Sequence, residues 1–481
     1  MSFDNLGGFI QALDDAGELK RIRAPVSVDL EIAEILRRVM YNHGPAVLFE
    51  NVEGYNIRVA GNLFGSEKRM QIALDEPTFE KLGTRITDLL NMEIPTGIFE
   101  KVKSLPKLAE LSGFSPKLVR NGPVKDVIDT KGASFSTLPV IKTWPKDAGR
   151  FITFGLVLTK NPDSGIRNLG VYRMQLYDDH TAAMHWQIHK RGAMHFKRMA
   201  EQGKRMEVAI IIGADPATVY SGVAPVPEGL DKFLFAGIMR RKGIDLIKCQ
   251  TVDLEVPAQS EIVLEGYVDP KDMRIEGPFG DHTGYYTSPE PYPTFHLTGM
   301  MRKHDPTYLT TVVGKPILED AYLGKVIERS FLPLIQVLQP EVVDVSFPAA
   351  GWFQGLAIVS IKKRYPGQAK KVMFGLWGTG QLALTKMLVV VDEDVNVHDT
   401  NDVLWAVTTR TDPARDVLIL DRVPTDTLDP SSPLLNLGSK MGIDATTKSK
   451  EEGFEREWQE QVKPDEKTTE LVSGKWKQYG I

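Results

Sequence analysis

Apolar residues recur at helical spacing near the start of the chain. One helical face is predicted from four apolar residues: Leu6, Phe9, Ile10 and Leu13. Gly17 stops this helix, and a second helical pattern runs over residues 30–39 until the Gly-Pro pair at 44–45 ends it. The apolar run 46–49 follows as a strand. Helices that alternate with strands predict an N-terminal α/β domain, which we place at residues 1–115.

From about Phe151 the pattern changes to short apolar strands separated by polar turns. The predicted strands begin at Phe151, Gly170, Glu207 and Ser260. Regular short strands of this kind are typical of a barrel or a sandwich. We therefore expect a central β domain over residues 116–310, and the stretch 105–145 marks the passage into it.

Strand-like and helical segments alternate again after about residue 310. The runs MLVVVD (387–392) and VLILD (417–421) are predicted as buried strands, and residues 401–410 between them have a helical pattern. This alternation predicts a C-terminal α/β domain with a parallel sheet over residues 311–448. The charged tail, residues 449–481, contains enough apolar residues for a terminal helix, either docked on a neighbour or loosely packed.

Composition and charge narrow the class of protein. The 481 residues carry a net charge of -5, which argues against a nucleic-acid-binding surface. The lone cysteine, Cys249, excludes an internal disulfide and a cysteine-based metal cluster, and it fits a reducing cytoplasm. The first residues lack the pattern of a signal peptide, and no apolar run reaches the ~18 residues of a membrane span. We expect a cytoplasmic protein.

The segment EGPFGDHTGYY, residues 276–286, is the strongest chemical signal in the chain. Its Gly and Pro residues favour a shaped loop, and they place Glu276 and Asp281 five positions apart. Two neighbouring carboxylates raise each other's pKa, so that one of them can stay protonated near neutral pH and donate a proton. The segment fits either an acid/base pair or an acidic turn with two exposed carboxylates.

The strand-like segment NLGVYRMQ, residues 168–175, offers a cation. Arg173 in this segment could hold a carboxylate through two hydrogen bonds, or it could form an ordinary surface salt bridge. Gly170 near the start of the strand lets a flat ligand approach the backbone.

The segment HWQIHKRGA, residues 185–193, offers two more cations. Lys190 and Arg191 form a compact corner that suits a phosphate, or a solvated basic turn. The two histidines four positions apart do not form the zinc-protease motif, because Trp186 stands where that motif needs Glu.

Other common catalytic motifs are missing from the sequence. GLWGTG, residues 375–380, has the wrong order of glycines for a dinucleotide fingerprint, and neither a Walker A motif nor a GxSxG elbow is present. The sequence therefore gives no support to a standard dehydrogenase, kinase or serine hydrolase.

Taken together, these segments resemble the UbiD family of decarboxylases, which use prenylated FMN. The matching segments are NLGVYRMQ, HWQIHKRGA, VPAQSEIVLEGYV, EGPFGDHTGYY, TKMLVVVDEDVN, WAVTTRTDPARD and GSKMGIDATTK. They extend over nearly the whole chain, and the C-terminal ones are most similar to the 4-hydroxy-3-polyprenylbenzoate decarboxylase branch. The resemblance implies a central split β-barrel that binds the flavin, an N-terminal α/β domain and a C-terminal α/β domain used to form a homo-oligomer, a dimer or a hexamer.

The resemblance also assigns site residues by position. Arg173, Glu276 and Asp281 match the family's catalytic trio, and Asp281 would be the proton donor. The residues expected to contact prenylated FMN are Asn168, Val171, Tyr172, Arg173, His185, Trp186, Gln187, Lys190, Arg191, Lys232 and Lys386. Among them, Lys190 and Arg191 would hold the phosphate, and Lys386 would reach the cofactor from the C-terminal domain.

Manganese and potassium beside the flavin phosphate are also implied by the resemblance, but the chain departs from the family there. Lys232 stands where the family has a glutamate ligand, and Asn168 is the usual metal ligand that remains. Exchanging a carboxylate for a cation changes the local charge by two units and would repel a divalent ion. Either the Lys232 ammonium replaces the metal charge, or Asp231 or Glu228 takes the ligand's place.

The activity implied by the resemblance is reversible, non-oxidative decarboxylation of an aromatic or α,β-unsaturated acid. The substrate could be a polyprenylated hydroxybenzoate of ubiquinone biosynthesis, which would bring contact with a membrane surface, a naphthoate of a menaquinone route, a small aromatic acid or an isoprenoid acid phosphate. A flavin prenyltransferase is the expected partner. The alternatives are a flavin-binding protein with an altered or inactive site, which Lys232 supports, and a flavin oxidoreductase, for which no nicotinamide site is evident.

Overall fold

The computed structural model describes residues 2–90, 112–316, 318–353 and 355–480. Part of the predicted passage into the central domain, residues 105–111, lies outside the described residues.

The elements of the described chain are as follows. The strands are β1 (Leu19–Ile22), β2 (Ala46–Phe49), β3 (Arg58–Gly61), β4 (Lys117–Leu118), β5 (Val127–Asp129), β6 (Phe151–Lys160), β7 (Arg167–Gln175), β8 (Thr181–Ala183), β9 (Met206–Ile212), β10 (Asp245–Lys248), β11 (Glu255–Pro257), β12 (Ile262–Glu276), β13 (Glu290–Arg302), β14 (Thr307–Leu309), β15 (Val342–Ser346), β16 (Leu356–Ile361), β17 (Met387–Asp392), β18 (Val417–Pro424) and β19 (Leu437–Ala445). The α-helices are α1 (Leu6–Asp15), α2 (Glu31–Tyr41), α3 (Glu67–Leu74), α4 (Glu80–Leu90), α5 (Arg191–Glu201), α6 (Pro216–Val223), α7 (Lys232–Arg240), α8 (Glu319–Leu338), α9 (Gln368–Trp377), α10 (Thr400–Arg410), α11 (Pro413–Asp416) and α12 (Glu466–Lys475). Short 3-10 turns lie at Pro123–Lys125, Phe135–Thr137, Ala349–Gly351, Gly380–Leu384, Lys450–Glu452 and Trp476–Tyr479.

The N-terminal part confirms the predicted helices and strand. The four apolar residues predicted for the first helix are buried in α1, which begins after Asn5, whose side chain accepts a hydrogen bond from the backbone of Gly8 at 2.8 Å. The adjoining sheet has the strand order β1-β2-β3-β14. Its last strand, β14, comes from a much later part of the chain and pairs in parallel with β3.

The central part is built on a curved, mainly antiparallel sheet. Its strand order is β5-β13-β12-β9-β6-β7, and β8 also pairs with β13. An isolated bridge between Leu176, just after β7, and Ala182 in β8 connects the far edge of the sheet back to β13. The sheet therefore curls almost into a ring, which confirms the short-strand pattern and the split-barrel fold. A separate small sheet has the order β11-β10-β4.

The C-terminal part is an α/β domain, as predicted, but its sheet is not wholly parallel. The strand order is β15-β16-β17-β19-β18, with parallel pairs in the middle and antiparallel pairs at both edges. The run 417–421 is a strand, but the prediction that it is buried was wrong, because β18 lies at the edge of the sheet and Ile419 is exposed. Helix α12 in the tail has no buried residue.

The hydrophobic residues that pack the domains together determine where the site lies. One hydrophobic core extends from α1 through the central sheet to the first half of α8, so the N-terminal and central parts pack as one body. The C-terminal sheet has separate apolar clusters on its two faces. Within the described ranges, no helix combines the length and the apolar character needed to cross a membrane.

Candidate active site

The loop predicted at residues 276–286 is held in place by the central domain. Glu276 is the last residue of β12, opposite Glu290 of β13, and the loop proper begins at Gly277. The backbone N–H of Gly280 donates to Asp147 Oδ1 at 2.8 Å. Gly280 packs directly against the ring of Trp144, which leaves no room for a Cβ atom. These two contacts hold the loop against the central domain.

Arg173 of β7 joins the two carboxylates of the loop. Its Nε and Nη2 donate to the two oxygens of Glu276 at 2.8 and 3.1 Å, and its Nη1 donates to Asp281 Oδ2. Glu276 is fully buried, and the exposed fractions of Arg173 and Asp281 are 8% and 6%. The exposed acidic turn and the surface salt bridge are both wrong, because all three groups are inside the protein.

The charge state of the two carboxylates differs from the expectation. Burial alone would raise the pKa of Glu276, but the hydrogen bond from His185 and the charge of Arg173 hold it at about 2. Burial likewise opposes ionisation of Asp281, but Arg173 and His282 bring the pKa of Asp281 well below its usual value. The prediction of a raised pKa was wrong for this structure, because a cation lies between the two carboxylates.

His185 supports Glu276 from the other side. Its Nδ1 lies 3.1 Å from Glu276 Oε2, and its ring packs against Tyr292 with the centroids 4.3 Å apart. Burial lowers the pKa of His185, so the ring is neutral and Nδ1–H donates to Glu276. Its Nε2 is buried and has no hydrogen-bond partner among the described residues.

His282 is a site residue that the sequence reasoning missed. Its backbone N–H and its Nδ1 contact Asp281 Oδ1 at 2.7 and 2.9 Å. Burial opposes protonation of the ring, but Asp281, Asp320 and Asp426 together raise the pKa of His282. Its position directly after Asp281 in the loop was the available signal.

The C-terminal domain forms the opposite wall of the site. The rings of Trp352 and Phe353 lie 6.1 and 6.2 Å from the ring of His282. Burial raises the pKa of Asp320, at the start of α8, to about 6. The charge of Asp426 acts on both His282 and Lys190. The site is therefore closed by polar and aromatic groups from outside the central sheet.

A second group of predicted residues meets at the start of α5. The Gly192 N–H points to the Tyr172 hydroxyl at 3.4 Å, and a Cβ atom on Gly192 would lie 2.7 Å from Trp186 Nε1. Burial raises the pKa of Tyr172, and the nearby side chain of Asn168 opposes this shift. Yet Asn168 Nδ2 and Trp186 Nε1, both buried, have no hydrogen-bond partner within the described ranges. Buried donors without hydrogen-bond partners are costly in free energy. The group formed by Asn168, Tyr172, Trp186 and Gly192, which we call the cradle, therefore fits a polar ligand.

Three cations lie beside this cradle. Lys190, Arg191 and Lys232 are at least partly buried, and none is hydrogen-bonded to a carboxylate of the described chain. Burial lowers the pKa of all three, in the case of Lys232 to about 7. Desolvated positive charges that are not hydrogen-bonded to a carboxylate favour a bound anion. The alternative of a solvated basic turn does not fit this burial.

The remaining predicted residues are placed less directly. Gln187 is buried and Val171 is half-buried next to this cradle. Lys386 does not join the Arg173 cluster, because its Nζ is bonded to Asp429 at 3.1 Å and to Ser431 in the C-terminal domain. Its contact with the cofactor stays a prediction.

The donors present do not fit a divalent metal. Asp231 caps α7 and pairs with Arg167 at 2.7 Å, and Glu228 is exposed, so neither takes the place of the missing glutamate ligand. No group of three or more His, Cys, Asp or Glu side chains in the described part of the chain is arranged to hold a metal.

Models of known protein families identify the family of this chain. Three models match in order: the UbiD N-terminal domain of 3-octaprenyl-4-hydroxybenzoate carboxy-lyase over residues 10–86, its Rift-related domain over 117–316 and its C-terminal domain over 321–445. The chain belongs to the UbiD family. The carboxy-lyase class and the three-part fold expected for this UbiD protein are thereby confirmed.

Relatives and solved structures match along the full length. An uncharacterized protein of Archaeoglobus fulgidus is 52% identical over 99% of this chain and 98% of its own, and one of Aquifex aeolicus is 48% identical over 100% and 99%. Vanillic acid decarboxylase of Sedimentibacter hydroxybenzoicus, in closed form, is 28% identical with a TM-score of 0.87, covering 100% of this chain and 99% of that one. The UbiD-class enzyme HmfF of Pelotomaculum thermopropionicum, solved with FMN, is 28% identical with a TM-score of 0.79 over 98% and 99%.

Proposed function

We propose that this UbiD protein is a reversible, non-oxidative decarboxylase of an aromatic or α,β-unsaturated carboxylic acid, and that prenylated FMN is its cofactor. The observation that carries the proposal is the buried guanidinium of Arg173, bonded at once to Glu276 and Asp281. The similar HmfF enzyme, which was solved with FMN and in an evolved dimeric form with prFMN, supports the cofactor and a homo-oligomer.

The cradle at the start of α5 would hold the cofactor. Asn168 and Trp186 would donate their unpaired N–H groups to it, and Lys190 and Arg191 would face its phosphate. When bound, prenylated FMN supplies the electron sink that loss of carbon dioxide needs and that no side chain provides. The side chains of the protein would bind the substrate and transfer the proton.

Arg173 would bind the substrate carboxylate, and this has a consequence for Asp281. A carboxylate that bonds to Nη1 of Arg173 competes with Asp281 for the same donor. Once displaced, buried Asp281 loses its strongest stabilising charge, so its pKa rises and it takes up a proton. After carbon dioxide leaves, Asp281 gives this proton to the carbon, and R–COO⁻ plus H⁺ becomes R–H plus CO₂. Glu276 stays ionised because His185 still bonds to it.

The surroundings of Asp281 favour a small, polar substrate. His282, Asp320 and Asp426 put charged groups on the wall next to Asp281, where a polyprenyl tail would need apolar contacts. We therefore propose a hydroxylated single-ring or short unsaturated acid. A polyprenylated hydroxybenzoate of quinone biosynthesis, with contact to a membrane surface, is the second candidate, favoured by the family models that match the chain.

The test is co-expression with a flavin prenyltransferase, the expected supplier of the cofactor. We expect the purified protein to release a small molecule with the mass of prenylated FMN, and the loaded protein to decarboxylate some member of a panel of vanillate, 3,4-dihydroxybenzoate, cinnamate and a prenylated hydroxybenzoate. The Arg173→Ala variant, loaded in the same way, is the inactive control. Bound prenylated FMN without turnover or solvent deuterium exchange on any of these acids would favour a binding protein instead.

A further inference from the structure

Lys232 is held in a fixed position at the end of α6. Although it is the first residue of α7, its side chain turns back to α6, where Nζ donates to the backbone oxygens of Ser221 and Ala224 at 2.7 and 2.6 Å. The Ser221 hydroxyl donates in return to the Lys232 carbonyl at 2.6 Å. The exposed fraction of Lys232 is 4%. Its ammonium group is therefore held inside the protein by these hydrogen bonds, unlike that of a mobile surface lysine.

The two carbonyls are those that a bound cation would use. They belong to the C-terminal end of α6, where carbonyl groups lack partners within the helix and the negative end of the helix dipole lies. Backbone carbonyls are also the ligands that hard metal ions take in proteins. The ammonium therefore occupies a place suited to a monovalent ion.

The same segment fixes a second cation. Arg191 donates from Nη2 to the carbonyl of Val226, two residues after Ala224. The charge of Arg191 acts on Lys232, so the two cations are near neighbours. An ammonium has three N–H groups, and two of those on Lys232 bond to carbonyls. This leaves one N–H of Lys232 without a partner among the described residues, close to the guanidinium of Arg191.

We propose that Lys232 is a built-in cation that replaces both the divalent and the monovalent metal ion at the flavin phosphate of this chain. The proposal rests on the proposed function, since it assumes that a flavin phosphate binds at this cradle. It follows that cofactor binding needs no added metal. It also follows that Lys232 contributes to binding of the cofactor's phosphate group and not to binding of its flavin ring.

Ion dependence tests this without any variant. FMN and riboflavin, which lacks the phosphate, are titrated into the full-length apoprotein and followed by flavin fluorescence. We expect the FMN affinity to be unchanged by EDTA and by exchange of potassium for tetramethylammonium. Elemental analysis of the prenylated-FMN-loaded protein should find no stoichiometric manganese. Manganese at one per flavin, or loss of FMN with EDTA, would overturn the role of Lys232 and leave the decarboxylase proposal standing.

The Lys232→Met variant tests the phosphate directly. Methionine keeps the length of the side chain, and loss of the charge should weaken FMN binding about 10- to 100-fold. Riboflavin affinity should not change, which separates loss of a phosphate contact from general damage. Lys197→Met, which removes an exposed charge on α5, is the matched control and should bind FMN normally. Equal weakening of FMN and riboflavin would contradict the proposal, and absence of FMN binding under every ion condition would contradict the proposed function as well.

Discussion

Arg173 is hydrogen-bonded to Asp281, the residue from which the reaction would need a proton. In the structure without substrate, Asp281 is therefore a carboxylate. In the proposed reaction, its conversion to an acid would be coupled to the arrival of a substrate carboxylate at Arg173. Proton donation and substrate binding would then depend on the same guanidinium.

The first prediction concerns Asp281. The Asp281→Asn variant keeps the shape of the side chain but cannot donate a carboxylic proton, so kcat for decarboxylation should fall by ~10²–10⁴-fold. Steady-state kinetics of the loaded enzyme on one accepted acid measure this. Asp245→Asn, at an exposed aspartate on β10, is the control and should keep its rate. A variant that retains full kcat would remove Asp281 from the role of proton donor.

The second prediction concerns stability and pH. The pKa of Glu276 is about 2 in the folded protein against an ordinary 4.5, so ionised Glu276 stabilises the fold above pH 4.5, and this stabilisation is lost as the pH falls toward 2. Glu276→Gln should lower the free energy of unfolding by roughly 3 kcal/mol at pH 7, because it leaves Arg173 buried with one partner fewer.

Chemical denaturation of both proteins at pH 7, 4 and 3 measures this effect. The difference between wild type and Glu276→Gln should shrink toward pH 3, because below pH 4.5 Glu276 becomes protonated in the unfolded chain while it stays ionised in the folded protein. A difference that stays constant over this range would mean that the charge of Glu276 does not contribute.

The third prediction concerns His282, a positioning residue for Asp281. His282→Phe removes the ring donor and the charge beside Asp281, so the pKa of Asp281 should rise and the alkaline limb of kcat against pH, where the proton donor is lost, should move up by about 1 unit. His282→Asn keeps an N–H donor close to the position of Nδ1 and should restore part of the rate. The pH profiles of the two loaded variants test this, and identical profiles for wild type and His282→Phe would contradict it.

The fourth prediction concerns the support of the catalytic loop. A methyl group at Gly280 would collide with Trp144, so Gly280→Ala should destabilise the protein by ~1–3 kcal/mol and misplace Asp281. Thermal unfolding and kcat measure the two effects. Gly474→Ala, in the exposed helix α12 where a Cβ atom would meet nothing within 4 Å, should lower neither the melting temperature nor kcat. A loop variant with wild-type melting and rate would show that the loop adapts freely.

Much of the architecture could be predicted because it rests on local patterns. The spacing of the apolar residues in α1 and the run at 46–49 determine which faces are buried, and the structure has both elements where they were predicted. The sheet of the C-terminal domain was harder. Whether β18 runs parallel or antiparallel, and whether it is buried, depends on its neighbour β19 and not on its own sequence.

The site shows the same division between local and distant information. The resemblance supplied Arg173, Glu276 and Asp281, but the five-residue spacing of the carboxylates gave the wrong direction for the pKa of Asp281. That direction depends on Arg173, which lies 108 positions earlier in the chain. The effect of Asp320 on His282 also arises only when α8 packs against the loop.

Strand β14 has a consequence for how the protein is made. When a ribosome has completed residues 1–115, β3 can pair with β2 on one side only, because its other neighbour, β14, is synthesised after the whole central sheet. An edge strand left open is a template for pairing with other chains. A fragment that ends near residue 115 should therefore aggregate. A fragment that extends past residue 309 contains β14, which pairs with the open edge of β3 and should prevent this aggregation. The N-terminal sheet is therefore completed only after the central domain has also been synthesised.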